Sequence, residues 1–301
     1  MHRPTPALDT APLRETGASF AAGLSVGGHR EVSAASGRSG SSVFRIASLT
    51  KPVTALATLR AADQAHVSLD TPVVQVLPTL AQQWRADLGI TIAHVLSQTS
   101  GLASTVTAAD VAALGEDDDV ALGTARLVVA AGSSRGPGRR FAYDNGNYFL
   151  AGAVTAALHG TSYERAVHDL VLSSAGMSRT SFLPPPDLVP GREDGFDVPH
   201  RPYPRGRRPS GGLCSSVDDL LAFATSLLAD GPALAETATP RTAPEDEVRY
   251  GLGWAIGPSG QLYLNGRLPV TARPCSCCPP TTSPAWCWPA TAVRCPRRPR
   301  C

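Results

Sequence analysis

Residues 43–65, VFRIASLTKPVTALATLRAADQA, contain the most informative pattern in the chain. Residues 43–46 form a short apolar lead-in, and from 49 to 65 the apolar side chains recur at the spacing of a helix face. Pro52 falls in the first turn of this segment, where its missing N–H group costs little. The stretch therefore predicts a strand-like segment that runs directly into a helix.

Ser48 and Lys51 stand at the start of the predicted helix, three residues apart, so their side chains lie within reach of each other. A serine hydroxyl is a weak nucleophile until a nearby base accepts its proton, and free N–H groups at a helix N-terminus stabilise a developing oxyanion. Lys51 is the only lysine among 27 Lys and Arg residues, and lysine, unlike arginine, can give up its proton. The pair predicts nucleophilic catalysis; the alternative is a chance S-x-x-K in an arginine-rich chain.

Tyr143 and Asn145 follow a Gly/Arg-rich turn and precede an apolar helical stretch. A tyrosine on a loop that faces a cleft can shuttle a proton between the serine and a leaving group. Asn145 can hydrogen-bond a substrate carbonyl or amide. The alternative is a helix-entry loop in which Asn145 is an ordinary cap.

Ser25 is a second candidate nucleophile, because residues 23–27 match G-x-S-x-G. That motif is catalytic only at a strand-to-helix elbow. Here, residues 20–26 and 31–35 read as two strands joined by a Gly-Gly turn. We therefore interpret Ser25 as a hairpin residue.

The order of elements predicts an α+β fold. Helices are predicted at 91–98, 108–114, 120–131, 147–158, 163–173 and 216–228, strands at 250–256 and 261–264, and a long irregular loop at 184–212. We expect an antiparallel sheet with flanking helices, built from residues 1–66 and 210–269. An all-helical insertion at 67–209 would stand beside it, with the ligand cleft between them.

Composition narrows the choice of partners and compartment. The 301 residues are 43% hydrophobic with a formal net charge of +2, which argues against nucleic acid as a partner. No apolar run reaches the roughly 20 residues of a membrane helix, and residues 1–17 lack the apolar core of a secretion signal. We expect a cytoplasmic protein, and Cys214 as the only cysteine of residues 1–269 fits a reduced compartment.

Five motifs in fixed order carry a family resemblance. They are S-x-x-K at 48–51, HVLSQTSGL at 94–102, Y-x-N at 143–145, GGL at 211–213 with S-x-x-D at 216–219, and YGLGW at 250–254. Together they resemble the serine β-lactamase-related family of class C β-lactamases, D-alanyl-D-alanine carboxypeptidases and related esterases. The resemblance implies a β-lactamase/transpeptidase-like fold and an acyl-serine intermediate formed without metal or cofactor. It implies that Ser48 is the nucleophile, that Lys51 activates it, that Tyr143 is the general base/acid and that Asn145 orients substrate.

The third family motif departs from the pattern. A Lys or His, any residue and Gly are matched here by Leu264, Asn265 and Gly266. The resemblance implies that the N–H groups of Ser48 and Arg267 form the oxyanion hole. The missing polar side chain weakens the hold on a substrate carboxylate, so we predict a hydrolase of small esters or amides, with esters favoured. The alternative is a catalytically impaired member that binds a ligand or protein partner.

Arg201, Arg205, Arg207 and Arg208 form a basic run inside the predicted loop. Such a run can attract an acidic substrate. The interpretation we favour is a solvated loop, because arginines in Pro- and Gly-rich segments are usually exposed.

Residues 270–301 contain six of the seven cysteines, show no periodicity and match no common zinc spacing. Shifting each codon back by one base forces leucine at position 278 and valine, leucine and alanine at positions 287–289. The shifted reading gives two apolar strands, like those that close the sheet in the family. We interpret the segment as the product of a one-base deletion after Pro269, which leaves a disordered tail in place of the closing strands. The alternative is a genuine Cys-rich tail.

Overall fold

A computed structural model describes residues 8–15, 19–193, 196–198, 202–243 and 246–268. The α-helices are α1 Ala11–Glu15, α2 Thr50–Gln64, α3 Val73–Val76, α4 Ile92–Leu96, α5 Ala108–Ala112, α6 Val120–Ala130, α7 Asn145–His159, α8 Tyr163–Val167, α9 Arg208–Gly211, α10 Val217–Ala229 and α11 Gly231–Ala238. The strands are β1 Ala21–Val26, β2 His29–Ala34, β3 Phe44–Arg45, β4 Gly191–Glu193, β5 Phe196–Val198, β6 Cys214–Ser215, β7 Arg249–Tyr250, β8 Ala255–Ile256 and β9 Leu262–Tyr263. The segment 270–301, with its frame-shift interpretation, lies outside the described residues.

Helix α2 lies at the centre of the fold. Its apolar side chains Val53 and Leu56 are fully buried, as predicted, but so are its polar residues Thr54 and Thr58. The buried hydroxyls are satisfied: Thr54 Oγ1 donates to a backbone carbonyl 2.8 Å away, and Thr58 Oγ1 shares a 2.8 Å hydrogen bond with Thr155 on α7. A helix enclosed on nearly every side can position a reactive group at its N-terminus with little freedom of movement.

Helix α7 supplies most of its buried apolar side chains to one of two large hydrophobic clusters. That cluster also contains residues of α4 and α6, and the other contains residues of α2, α8 and α10. Asp144 caps the start of α7 by accepting the Gly146 N–H at 2.8 Å, and Gly160, with a φ of 73°, ends it. The predicted helix at 147–158 is therefore confirmed and is one turn longer.

Every strand pairing in the described residues is antiparallel, which confirms the α+β prediction. The strands form four small ladders, β1–β2, β3–β6, β4–β5 and β7–β8–β9, where we expected one sheet. Five of these strands are two residues long and two are three residues long, and such strands offer few hydrogen bonds from which a wider sheet can grow. The β3–β6 pair does join Phe44 to Ser215, across the helical stretch. The division into sheet domain and helical insertion stays a prediction.

Two local predictions are wrong. Residues 250–256 are not one strand, because Gly253, with a φ of 84°, turns the chain between β7 and β8. Residues 184–212 are not irregular throughout, because they contain the β4–β5 hairpin, a 3₁₀ turn at Arg205–Arg207 and α9. The sequence reading also missed α11, which Asp230 caps by accepting the Ala233 N–H.

Ser25 lies in the β1–β2 hairpin, opposite Arg30, so the G-x-S-x-G match is not a strand-to-helix elbow. None of the helices in the described ranges is long and apolar enough to span a bilayer.

Candidate active site

Ser48 lies in a 3₁₀ turn immediately before α2. The preceding residue, Ala47, has a φ of 47°, in the left-handed region that a β-carbon disfavours. Such strain persists only where the surroundings hold it. Here Ile46 N–H donates to Leu213 O at 3.1 Å, and Leu213 N–H donates to Thr50 Oγ1 at 3.1 Å. The turn that presents Ser48 is therefore fastened to the β6 segment at both ends.

Lys51 is fully buried, and its Nζ makes three hydrogen bonds. It donates to Ser48 Oγ at 3.2 Å, to Asn145 Oδ1 at 2.8 Å and to the Ser210 carbonyl oxygen at 2.7 Å. The acceptors come from the α2 turn, the start of α7 and α9. Three elements that are distant in sequence thus fix the amine beside the serine hydroxyl.

The electrostatic environment of Lys51 favours its neutral form. Burial lowers its pKa to about 7, Asp144 opposes that shift, and the positive charge of Arg207 reinforces it. A free lysine titrates near 10.4. At neutral pH a large share of Lys51 is therefore uncharged and able to accept the Ser48 proton.

Tyr143 supplies the second side-chain contact to Ser48. Its hydroxyl donates to Ser48 Oγ at 2.8 Å, and Lys51 Nζ lies 4.8 Å from its ring centroid. Burial raises the pKa of Tyr143, the hydrogen bond to Ser48 lowers it, and neighbouring Tyr203 raises it further. The net shift is upward, so the phenol stays protonated at neutral pH. Lys51 is the better proton acceptor in this resting arrangement, and Tyr143 the better donor.

Asn145 is not the cap of α7, because Asp144 fills that position. The Asn145 side chain is instead turned toward the site, where its Oδ1 accepts the hydrogen bond from Lys51. The ordinary-cap alternative is therefore wrong for Asn145. A role in orienting substrate stays a prediction.

Gln98 is a positioning residue that the sequence reading did not single out. It has a φ of 62° and is buried, and its Oε1 accepts both the Asp144 N–H at 3.0 Å and Asn147 Nδ2 at 2.8 Å. Its carbonyl accepts the Ala142 N–H at 2.9 Å. The loop that carries Tyr143 is thus fastened to Gln98. The only sequence signal was its place inside the motif at 94–102.

Gly266 lies directly against the Ser48 turn. A Cβ at this position would stand 2.2 Å from the Ile46 carbonyl oxygen and 3.4 Å from the Ala47 Cβ, so no side chain fits without movement. Glycine allows the segment that includes Arg267 to approach the turn. The Arg267 side chain is exposed, and Leu264 is half-buried. The backbone donor role of Arg267 stays a prediction.

The YGLGW motif at 250–254 serves packing. A Cβ on Gly253 would stand 2.8 Å from the Ala55 Cβ and 3.0 Å from the Pro52 Cα. Gly253 N–H also donates to the Leu96 carbonyl at 3.3 Å. The motif therefore packs the late turn against the first turn of α2, from Lys51 to Ala55.

In the part of the chain that the structure describes, no group of three or more His, Cys, Asp or Glu side chains is placed to hold a metal ion. The groups that converge are the Ser48 hydroxyl, the Lys51 amine and the Tyr143 phenol, and Asn145 accepts a hydrogen bond from the amine. Such a set can move protons and form a covalent bond to a carbonyl carbon through its own atoms.

Comparison with known proteins gives a consistent result. The family model described as Beta-lactamase matches residues 17–288. The chain is 29% identical to esterase EstB from Burkholderia gladioli, covering 71% of this chain and 65% of that protein. It is 28% identical to Protein Rv1367c from Mycobacterium tuberculosis, covering 68% of this chain and 58% of that protein. The chain thus spans less than two thirds of the length of these curated relatives.

Solved structures agree with the family match. The D-stereospecific amidohydrolase from Streptomyces sp. aligns with a TM-score of 0.61 at 25% identity, covering 78% of this chain and 77% of that chain. A penicillin-binding protein from Bacillus halodurans aligns with a TM-score of 0.63 at 21% identity, which bears on the fold alone. The fold is therefore of the β-lactamase/transpeptidase type, and the chain belongs to the Beta-lactamase family.

Proposed function

We propose that this chain is a serine hydrolase that cleaves small esters or amides through an acyl-enzyme on Ser48. The observation that carries the proposal is the convergence on Ser48 Oγ of Lys51 Nζ at 3.2 Å and the Tyr143 hydroxyl at 2.8 Å. A nucleophile in contact with a base, and a base held by further groups, is the general signature of nucleophilic catalysis.

In the first step, neutral Lys51 accepts the Ser48 proton as Oγ forms a bond to the substrate carbonyl carbon. The carbonyl electrons move to its oxygen, and the N–H groups of Ser48 and Arg267 are the proposed donors to that oxyanion. The strained Ala47 and the close approach of Gly266 support this placement.

In the second step, the bond between the carbonyl carbon and the leaving oxygen breaks. The leaving alcohol takes a proton from Tyr143, which recovers one from protonated Lys51. A water molecule then attacks the acyl carbon, the Lys51–Tyr143 pair accepts its proton and Ser48 Oγ leaves with that proton. Lys51 and Tyr143 return to their starting protonation states after each half-reaction. Ser48 remains acylated after the first and regains its hydroxyl proton after the second, when the carboxylic acid product is released.

Esters are the favoured substrates. An amine leaving group must be protonated before it departs, whereas an activated ester releases a weakly basic oxygen. The raised pKa of the Tyr143 phenol makes it a weaker acid toward an amine, and burial is the main cause of that shift. The name of the relative EstB, an esterase, supports the same choice.

A fluorophosphonate probe with peptide mapping by mass spectrometry tests the proposal. We expect label on Ser48, lost in Lys51→Ala and retained in Ser25→Ala, which alters a serine of the hairpin. Turnover of 4-nitrophenyl butyrate should follow the same pattern. Unlabelled Ser48 in folded protein, or label on a different serine, would refute the assignment.

A catalytically impaired, ligand-binding member is the second candidate, and Leu264 is the observation that favours it. The half-buried leucine takes the place of the polar residue of the third motif. In that case the probe would label Ser48 stoichiometrically while ester turnover stayed at the rate of Ser48→Ala.

A further inference from the structure

The arginine-rich run contains two kinds of arginine. Arg205 pairs with Asp118 at 2.8 Å and Glu164 at 3.0 Å, and Arg208 pairs with Glu164 at 2.6 Å. Their side chains are only 16% and 14% exposed. The solvated-loop interpretation is therefore wrong for both, which fasten the segment to α8. Arg201 lies outside the described residues.

Arg207 differs, because no carboxylate among the described residues pairs with it. Its guanidinium carbon lies 5.3 Å from the centroid of the Tyr203 ring, and its Nε is buried with no hydrogen-bond acceptor. Arg208 also leaves its Nε unpaired, but its terminal nitrogens bind Glu164. A buried N–H without an acceptor is costly, and the planar guanidinium suits bidentate pairing with a carboxylate. Among the three arginines of the run that the structure describes, Arg207 is the one whose guanidinium holds no carboxylate, so it is the one able to take an external anion.

The backbone places Arg207 beside the proposed catalytic group. Its carbonyl accepts the Ser210 Oγ hydrogen bond at 3.1 Å, and the Ser210 carbonyl accepts Lys51 Nζ at 2.7 Å. The charge of Arg207 also contributes, after burial, to the lowered pKa of Lys51. The Arg207 guanidinium is thus near enough to the Lys51 amine to influence its protonation.

The ring beneath Arg207 lies at the serine turn. A Cβ on Gly211 would stand 2.8 Å from the Tyr203 hydroxyl and 3.5 Å from the Ala47 carbonyl carbon, so Tyr203 borders the peptide that precedes Ser48. A cation stacked on Tyr203 therefore shares a ring with the segment that presents Ser48. Stacking on an aromatic face keeps the guanidinium in one orientation.

We propose that Arg207, stacked on Tyr203, binds an anionic group of the substrate and supplies the positive charge that Leu264 does not. The inference rests on the proposed hydrolase function and specifies its substrate class: esters that carry a carboxylate a few bonds from the scissile carbonyl. Arg207 is then a specificity residue on a different segment from the altered third motif.

Paired substrates test the inference: the 4-nitrophenyl monoester of glutaric acid against neutral 4-nitrophenyl pentanoate. We expect Arg207→Gln to lower the ratio of their kcat/KM values by about 10- to 100-fold, the range for loss of a charged hydrogen bond. Arg207→Lys should keep part of the preference. Arg126→Gln, which removes the same charge from an exposed position on α6, should leave the ratio unchanged. Equal losses for both esters would overturn the inference in favour of a purely structural or pKa-tuning role.

Direct binding separates this inference from the hydrolase proposal. Isothermal titration calorimetry with glutarate on Ser48→Ala protein should give a Kd at least 10-fold weaker when Arg207→Gln is added. The same Kd in both proteins, or no glutarate binding to Ser48→Ala, would overturn the anion site. An Arg207-dependent Kd in a protein that hydrolyses neither ester would uphold the anion site while refuting the hydrolase.

Discussion

The two sides of the Ser48 turn are built differently. On the α2 side, Lys51 is fully buried, and its amine is held by three hydrogen bonds, two of them to elements distant in sequence. On the β9 side, Gly266 and Arg267 are exposed, and β9 pairs only with β8 in the described part of the chain. A buried amine without its acceptors is costly, so the first side tolerates little change. It is on this second side that the family motif is altered, at the half-buried Leu264.

This contrast suggests that the two sides of the turn have different functions. Proton transfer depends on the buried side, where fixed dipoles and a lowered Lys51 pKa are preorganised. Binding the anionic group of a substrate depends on other side chains, and that role can pass from one segment to another. The proposed role of Arg207, in place of the third-motif residue that is Leu264 here, is such a case, and the predictions that follow test each side separately.

The largest effect is expected from the buried side. Ser48→Ala and Lys51→Ala should each lower kcat/KM for 4-nitrophenyl butyrate by about 10⁴-fold, because they remove the nucleophile or its base. Ser25→Ala is the matched control and should keep wild-type kinetics. Residual activity within tenfold of wild type in Lys51→Ala would show that another group accepts the serine proton.

A second test concerns the β9 side and the segment beyond it. Restoring the reading frame after position 269 should add apolar strands to the sheet edge, at roughly 25 cal/mol per Å² of apolar surface buried. We expect the repaired chain to melt cooperatively at least 10 °C higher, with the chain as written below about 50 °C. Differential scanning calorimetry measures both. A cooperative melt of the chain as written above about 50 °C would contradict the prediction, and sequencing the gene across these codons is the control.

The sequence predicted the elements of the buried side well. The helix after Ser48 was visible because its apolar spacing and its Pro52 are local signals, and Tyr143 and Asn145 were visible as a motif. The function of Gln98 was not visible, because its hydrogen bonds join residues more than 40 positions apart. A local sequence pattern gives no information about contacts between residues so far apart.

The sequence also could not predict that Arg205 and Arg208 pair with Glu164 and that Arg207 does not. All three share one residue type in one Pro- and Gly-rich stretch. Which of them meets Glu164 depends on how α8 packs, and that packing is a tertiary property. The split of residues 250–256 at Gly253 has the same origin, because the turn is held by the close approach of Gly253 to Pro52 and Ala55.

Gly266→Ala tests the close approach on the β9 side. A methyl group 2.2 Å from the Ile46 carbonyl oxygen must push the segment away from Ser48, and with it the proposed second oxyanion donor. We expect kcat to fall about 100-fold, within the range for loss of one such donor. Gly231→Ala is the control, because its Cβ would meet nothing within 4 Å. An unchanged kcat in Gly266→Ala would remove Arg267 from the oxyanion site.

The pH profile tests the state of Lys51. Its pKa of about 7 lies below the ordinary value, so the neutral base is lost as pH falls through 7, and kcat/KM should then drop tenfold per pH unit. Removing the Arg207 charge takes away a lowering influence, so Arg207→Gln should move the acid limb to higher pH. Arg126→Gln should leave it in place. An acid limb that does not move in Arg207→Gln would mean that the charge is screened from Lys51.

The smallest effect is expected from restoring the cation of the third motif. Leu264→Lys returns a positive charge to a half-buried position beside the exposed Asn265 and Gly266, where solvent screens part of it, so the preference for the glutaric monoester should rise only about two- to fivefold. The rise should be larger in an Arg207→Gln background, because one cation then substitutes for the other. Leu228→Lys, the same change at a 69% exposed position on α10, is the control and should leave the preference unaltered. If Leu264→Lys has no effect in either background while the control behaves as expected, the anionic group does not reach the β9 side, and Arg207 alone determines the preference.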